Sequence, residues 1–238
     1  MPGRPAPPAV LLSAAEALAA IRCDLRMYGP QLDLFGALAG ALCGLAARPA
    51  SRAGVPGLEL APGPGGARGR FLPWNVAARW LGLTLARRRP GPEALARLCA
   101  LVFDQRAEAL PAAPGEAARI RLETGMEGFA CTRCGRCCRD LDYHRECSAQ
   151  DVALWRARGR EDILAWVGQE QGPDGPVYRI WMRPGTPLYA ESCPFLRRVP
   201  GDTAFVCTIH DVKPAICRSY PGLRKHALLT GCKGFPRP

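Results

Sequence analysis

The segment 129–140, FACTRCGRCCRD, places Cys131, Cys134, Cys137 and Cys138 within eight consecutive positions. Thiols at that density have four chemical uses: a disulfide knot, a zinc site, an iron–sulfur ligand set or a redox-active pair. As a ligand the cysteine acts as thiolate, and a bound cation is what makes that form accessible. A CxxC turn is suited to the task because it sets two sulfurs on one side while backbone N–H groups point at them. The bacterial ferredoxin spacing, C-x2-C-x2-C-x3-C-P, is met by Cys131, Cys134 and Cys137, but its fourth place holds Leu141. A radical-SAM spacing, C-x3-C-x2-C, accommodates Cys134 and Cys138 and fails at the same leucine. No βαβ pattern precedes the segment to support a thioredoxin-like pair. Further ligands must therefore come from elsewhere in the chain.

Nine of the twelve cysteines lie between 131 and 232. Cys193 stands in SCPFL, Cys207 in FVCTIH, Cys217 in AICRSYP and Cys232 in TGCKG, each beside a turn former or at the end of a short apolar stretch. That is how separate segments deliver ligands to one point. The pieces FACTRCGRCC, CPFL and CTIHDVKPAICRSYP, followed by Cys232, resemble the CxxCxxCC cysteine-cluster family, the YkgJ-type zinc- or iron-chelating domain. The resemblance spans about residues 127–235 and leaves the first half of the chain untouched. It implies metal-ligand roles for Cys131, Cys134, Cys137, Cys138, Cys193, Cys207, Cys217 and Cys232, with a zinc or iron ion or an Fe–S cluster as the cofactor. Two positions depart from the family: His210 stands where an aromatic residue is usual, and Lys213 where an arginine precedes the proline. The aromatic precedent gives His210 a packing role, and the lysine removes a bidentate contact to an anion. His144 and Cys147, in the insert after the cluster, read as loop residues.

Cys137 and Cys138 add a geometric expectation. Neighbouring side chains diverge by roughly 100° on a helix and point to opposite faces of a strand. Both then fit one tetrahedral ion poorly, and either one is a packing thiol, or there are two sites, or a larger cluster is bound. Softness alone does not separate zinc from iron. The CxxCxxC run inclines the reading toward Fe–S.

Composition sets the frame for this chemistry. A chain of 238 residues can bury a real core without disulfide staples. The first apolar run is interrupted by Glu16 and Arg22, and the stretch 34–47 is too short to span a bilayer. These features predict a cytoplasmic protein with no membrane partner, in which thiols stay reduced and a cysteine cluster binds metal. The net charge of +11 comes almost wholly from arginine spread over both halves. The one tight run, ARRRP at 86–90, lacks interleaved aromatics for stacking bases, which disfavours nucleic acid as a partner and leaves a protein partner open.

The elements that would position the cluster divide the chain in two. The spacing predicts helices over 10–25, 31–47, 73–89 and 92–110, with a Gly/Pro-rich loop over 48–70 and a linker at 111–118. Cys23, Cys43 and Cys99 sit among apolar residues there and read as core packing. In the second half SAQD (148–151) is a capping box, with a helix ended by Gly159 and another over 160–170. Strand-like alternation occurs at 177–182 and 203–209, and 213–220 is a helical turn opened by Pro214. The expected fold class is α+β and mostly helical, with a helical region at 1–118 followed by a small metal-stabilised cysteine-cluster domain at 119–238. Three functions compete: a metal- or Fe–S-binding protein, a metal-dependent enzyme such as an Fe–S oxidoreductase, and a basic interaction module stapled by metal. No P-loop, dinucleotide fingerprint, HExxH or GxSxG supports the second.

Overall fold

The computed structural model describes residues 8–61, 69–112, 116–140, 145–172 and 175–235. It falls into two compact units, Met1–Glu127 and Gly128–Pro238.

The first unit is mixed rather than helical. Its elements are β1 (Ala9–Ser13), α1 (Ala14–Met27), α2 (Leu32–Cys43), β2 (Ala47–Arg52), β3 (Val55–Leu60), β4 (Arg70–Pro73), α3 (Trp74–Arg88), α4 (Pro92–Phe103), β5 (Ala107–Leu110) and β6 (Arg119–Glu123). Strand β6 lies between β1 and β5, antiparallel to both, and β2, β3 and β4 form an antiparallel meander. Because β6 pairs with β1, it belongs to this unit, beyond the division expected at 118/119.

The stretch expected to be a loop holds the β2–β3 hairpin. Its turn is Ala53–Gly54, both at positive φ (49° and 76°), between the paired residues Arg52 and Val55. A two-residue turn of that sign matches strand twist, and glycine adopts it without strain. The prolines are tolerated by position. Pro49 lies on an edge strand, and Pro56 precedes the residues of β3 that β4 pairs. Two expected helices also divide. Ser13 accepts from the Glu16 N–H while Glu16 accepts from the Ser13 N–H, so α1 starts only at Ala14 and β1 runs before it. Asp104, at φ 52°, ends α4 ahead of β5.

The core of this unit is aliphatic. Ile21 and Leu25 of α1, Phe35 and Leu38 of α2, Leu81 and Leu85 of α3, and Leu95 and Val102 of α4 are buried at helical spacing, with Ile120 and Leu122 from β6. Each such side chain contributes about 1.5–3 kcal/mol on leaving water. Cys99 joins this core, and its burial pushes the thiol up to about 11. Cys43 is half-buried and Cys23 exposed, so the packing reading fails for Cys23.

The second unit comprises α5 (Arg136–Arg139), β7 (Glu146–Cys147), α6 (Ala149–Ala157), α7 (Glu161–Leu164), β8 (Val167–Gly172), β9 (Gly175–Ile180), β10 (Leu196–Arg198), β11 (Phe205–Cys207), α8 (Ala215–Ser219) and α9 (Arg224–Leu229). Strand β9 is central between β7 and β8, and β10 and β11 form a separate hairpin. The helix expected over 160–170 is a single turn followed by β8, whose residues pair with β9 from Val167↔Ile180 to Gly172↔Gly175. Val152, Trp155, Ile163, Ile180, Trp181, Cys193, Phe195, Ile209 and Val212 form the core. Trp181 meets Phe195 edge to face at 5.3 Å.

Candidate metal centre

The eight cysteines Cys131, Cys134, Cys137, Cys138, Cys193, Cys207, Cys217 and Cys232 all line one cavity of about 510 Å³ in the second unit. They arrive on five chain segments. Local hydrogen bonds explain how each is held.

The leading segment turns at Gly135, whose φ of 68° opens α5 and whose added Cβ would stand 2.9 Å from the Phe205 ring. A side chain there meets both backbone strain and a collision, so the turn that aims Cys137 and Cys138 requires glycine. Arg139 donates to the Cys134 carbonyl at 3.1 Å and lies over Phe205 at 5.2 Å. The Phe205 N–H donates to the Arg133 carbonyl at 2.8 Å, binding β11 and therefore Cys207 to the CxxC turn. The Cys193 N–H donates to the Cys138 carbonyl at 2.7 Å.

Cys217 is placed by a residue that the sequence marks only as part of a capping box. Asp151 is 2 % exposed. One of its oxygens accepts from the Ser148 N–H (3.1 Å) and hydroxyl (2.8 Å), capping α6. The other accepts from the Ala215 N–H at 2.9 Å and from Arg218 at 3.3 Å, holding both ends of the turn that carries Cys217. One helical turn further along α6, Trp155 donates from its indole to the Val212 carbonyl at 2.8 Å, fixing the link between Cys207 and Cys217 to α6. Sequence spacing announces the cap but not the long-range second half of its hydrogen bonds. Cys232 is set by its N–H donating to the Ala227 carbonyl (2.8 Å) and by Arg136 donating to the Thr230 carbonyl (3.0 Å). The Ala130 N–H donates to the Gly234 carbonyl at 2.8 Å, and Phe129 and Phe235 stack edge to face at 5.3 Å.

Cys137 and Cys138 do not diverge as expected. Their sulfurs are 3.9 Å apart. Zinc–thiolate bonds of about 2.3 Å imply sulfurs roughly 3.8 Å apart along a tetrahedral edge, so adjacency does not keep the two thiols from a common centre. The short irregular turn at α5 brings them round to the same cavity. Among the described residues, no three His, Cys, Asp or Glu side chains stand together at ion-holding distances, so the thiols surround the cavity rather than converge on a point.

The electrostatics oppose thiolate formation in the absence of a cation. Contact with Cys138 and burial hold the Cys137 thiol well above its ordinary range. Cys138 is lowered by the contact with Cys137, but Cys193 and burial prevail and push it up to about 12. Burial pushes Cys217 up to about 12, with Cys138, Cys207 and Cys137 adding to the effect, and burial likewise raises Cys207 and Cys232. A cation amid these sulfurs inverts that preference and allows several to ionise. The donors thus fit a soft or borderline metal: a crowded sulfur set, half sunk in apolar surroundings, with Lys213 in the cavity wall as a fixed positive charge.

Other candidates separate from the site. His210 lines the cavity but is exposed, so it does not take the packing role of the aromatic residue it replaces. Cys147 packs against the core and burial pushes its thiol up to about 12. His144 lies outside the described residues.

Residues 130–233 match the family model CxxCxxCC, described as "Putative zinc- or iron-chelating domain". This stretch of the second unit is thus similar to that domain, which supports a zinc- or iron-chelating function for it. No curated protein and no solved structure matches this chain. Among the described residues, no helix is long and apolar enough to cross a membrane.

Proposed function

We propose that this protein is a metal-binding protein whose C-terminal unit holds zinc or iron through Cys131, Cys134, Cys137, Cys138, Cys193, Cys207, Cys217 and Cys232. The observation that carries the reading is the meeting of eight thiols from five segments around one cavity. Such convergence sets the thiols against one another without a ligand, because crowded, half-buried thiols cannot ionise alone. Bound metal supplies the cation that the sulfurs lack and ties the five segments together, so that metal affinity becomes folding free energy. Arg133, Arg136 and Lys213, also in the wall, offset the excess negative charge of several thiolates.

An iron–sulfur cluster is the second reading. The CxxCxxC run of Cys131, Cys134 and Cys137 favours it. In that form the unit could serve electron transfer or an oxidoreductase, acting in the reducing environment of the cytoplasm. Anaerobic purification followed by metal and sulfide analysis and absorption spectra separates the two. A colourless chain with stoichiometric zinc gives a thiolate zinc protein, and a brown one with acid-labile sulfide gives the cluster. A chain that binds neither metal when purified anaerobically with reductant sinks both readings.

A further inference from the structure

We infer that the eight cysteines form two separate metal centres, an inner one of Cys138, Cys193, Cys207 and Cys217 and an outer one of Cys131, Cys134, Cys137 and Cys232. This rests on the reading that the cysteines hold metal, and it assigns each thiol to a centre.

The division follows the packing. Cys193 is part of the hydrophobic core, and Cys138 and Cys207 pack directly against it. Backbone bonds join the same group: Cys193 N–H to the Cys138 carbonyl, and Cys207 opposite Leu196 in the β10–β11 hairpin. Cys217 enters from α8, which Asp151 ties to α6 of that core, and its sulfur neighbours are Cys138 and Cys207 first and Cys137 after them. None of the other four belongs to this core. Cys131 is exposed, and Cys134 precedes the Gly135 turn. Cys232 comes from the C-terminal segment, which is fastened to the start of the cluster by the Ala130–Gly234 hydrogen bond and the Phe129–Phe235 contact. Its thiol neighbours are Cys134, Cys137 and Cys131. Cys137 touches Cys138 of the inner group and follows Cys134 across the Gly135 turn; it completes the outer four, because the inner group already has four donors.

Four thiolates suffice to close a tetrahedral site, and a division of the eight into two quartets leaves no donor over. The adjacent pair is then the junction at which one centre passes to the next, with sulfurs 3.9 Å apart. The cavity is continuous past this junction and large enough for both. The two centres differ in surroundings, the inner one walled by Trp181 and Ile209 and the outer one opening at Cys131. The outer metal is consequently the exchangeable one.

The test uses the full chain produced in zinc-supplemented medium and purified anaerobically. Bound zinc is counted, and its release to a chromogenic chelator is followed in time. Two equivalents leaving in a fast and a slow phase of equal size are expected. Cys131→Ser and, separately, Cys232→Ser should each remove the fast phase and half of the zinc, with the slow rate unchanged. Both substitutions lie away from the core, so the folded state persists, which the circular dichroism of each variant checks. One equivalent in the wild type, a single phase, or complete zinc loss in both folded outer variants overturns the division while leaving metal binding intact. Absence of any bound zinc or iron overturns metal binding itself.

Discussion

The two units solve the same problem, burying enough of themselves to hold together, by different means. The first fills its interior with Leu, Ile, Phe and Val from four helices and a sheet, and its one fully buried cysteine behaves as another small apolar residue. The second has an apolar core on one side, built round Trp155 and Trp181, while eight cysteines wall a cavity of about 510 Å³. Trp181 belongs to both, with one side in the core and one in the cavity wall. The contrast teaches where stability originates. A side chain in the first unit is held by its neighbours, whereas a thiol in the second is surrounded by sulfurs that disfavour its charged form and needs a cation to become a partner.

The largest effect that would break this comparison is metal removal. A chelator with reductant should abolish hydrogen-exchange protection in 131–138 and 205–232 and leave the helices of the first unit protected. Structural zinc contributes about 10–16 kcal/mol in small thiolate domains, more than the whole stability of many domains. Exchange measured peptide by peptide on the full chain decides it. Equal protection of the second unit with and without metal would show that its apolar core suffices.

Next in size is the reciprocal perturbation. Leu81→Ala empties a fully buried site in the first unit and should cost that unit about 2–5 kcal/mol, read from denaturant unfolding, with metal content unchanged. A smaller change sharpens the picture of the second unit. Asp151→Ala removes four hydrogen-bond acceptor contacts and leaves every thiol in place. It should cost about 1–3 kcal/mol and weaken metal binding by about tenfold, as loss of a residue that orients a ligand does. Competition with a chelator of known affinity measures the second quantity. Wild-type affinity in this variant would mean that α8 holds Cys217 without help from α6.

These perturbations fall on features of uneven legibility. The cluster was legible because cysteine is rare and its local spacing is short: all eight residues implied by the family motif line the cavity. Capping at Ser148 was legible for the same reason, being set by neighbours along the chain. The strands of the first unit were hidden because Pro49, Pro56 and Gly57 made 48–60 look like part of a loop over 48–70, and only pairing to β4 and the Ala53–Gly54 turn reveal why those residues fit. At 160–170, a helical start at Glu161 concealed a strand whose partner begins only at Gly175. The second role of Asp151, 64 residues from Ala215, left no trace in local pattern at all. The nearness of Cys137 and Cys138 was missed because a regular helix or strand was assumed, whereas α5 is one turn opened by a left-handed glycine.

The smallest effect concerns acid, and it belongs to the first unit. Glu59 on β3 accepts from Arg52 at 2.8 Å and from Arg48 at 2.9 Å, and these two bonds hold its carboxyl below the ordinary value of 4.5. A carboxylate whose folded value is depressed contributes stability that is present above 4.5 and lost as the pH falls through the lowered value. The hairpin should therefore exchange its amides faster, relative to the rest of the unit, once the pH drops below 4.5. Glu59→Gln removes the charge and with it this pH dependence, so that the variant's hairpin should start less protected and change less on acidification. Both arginines are solvent-exposed, which keeps the contribution small through screening. Added salt should shrink it further in the wild type and leave the variant unaffected. An acid response in the variant as steep as the wild type's would place the titrating group elsewhere, and Glu16, held low by the Ser13 N–H and hydroxyl at the start of α1, is the next carboxylate to substitute.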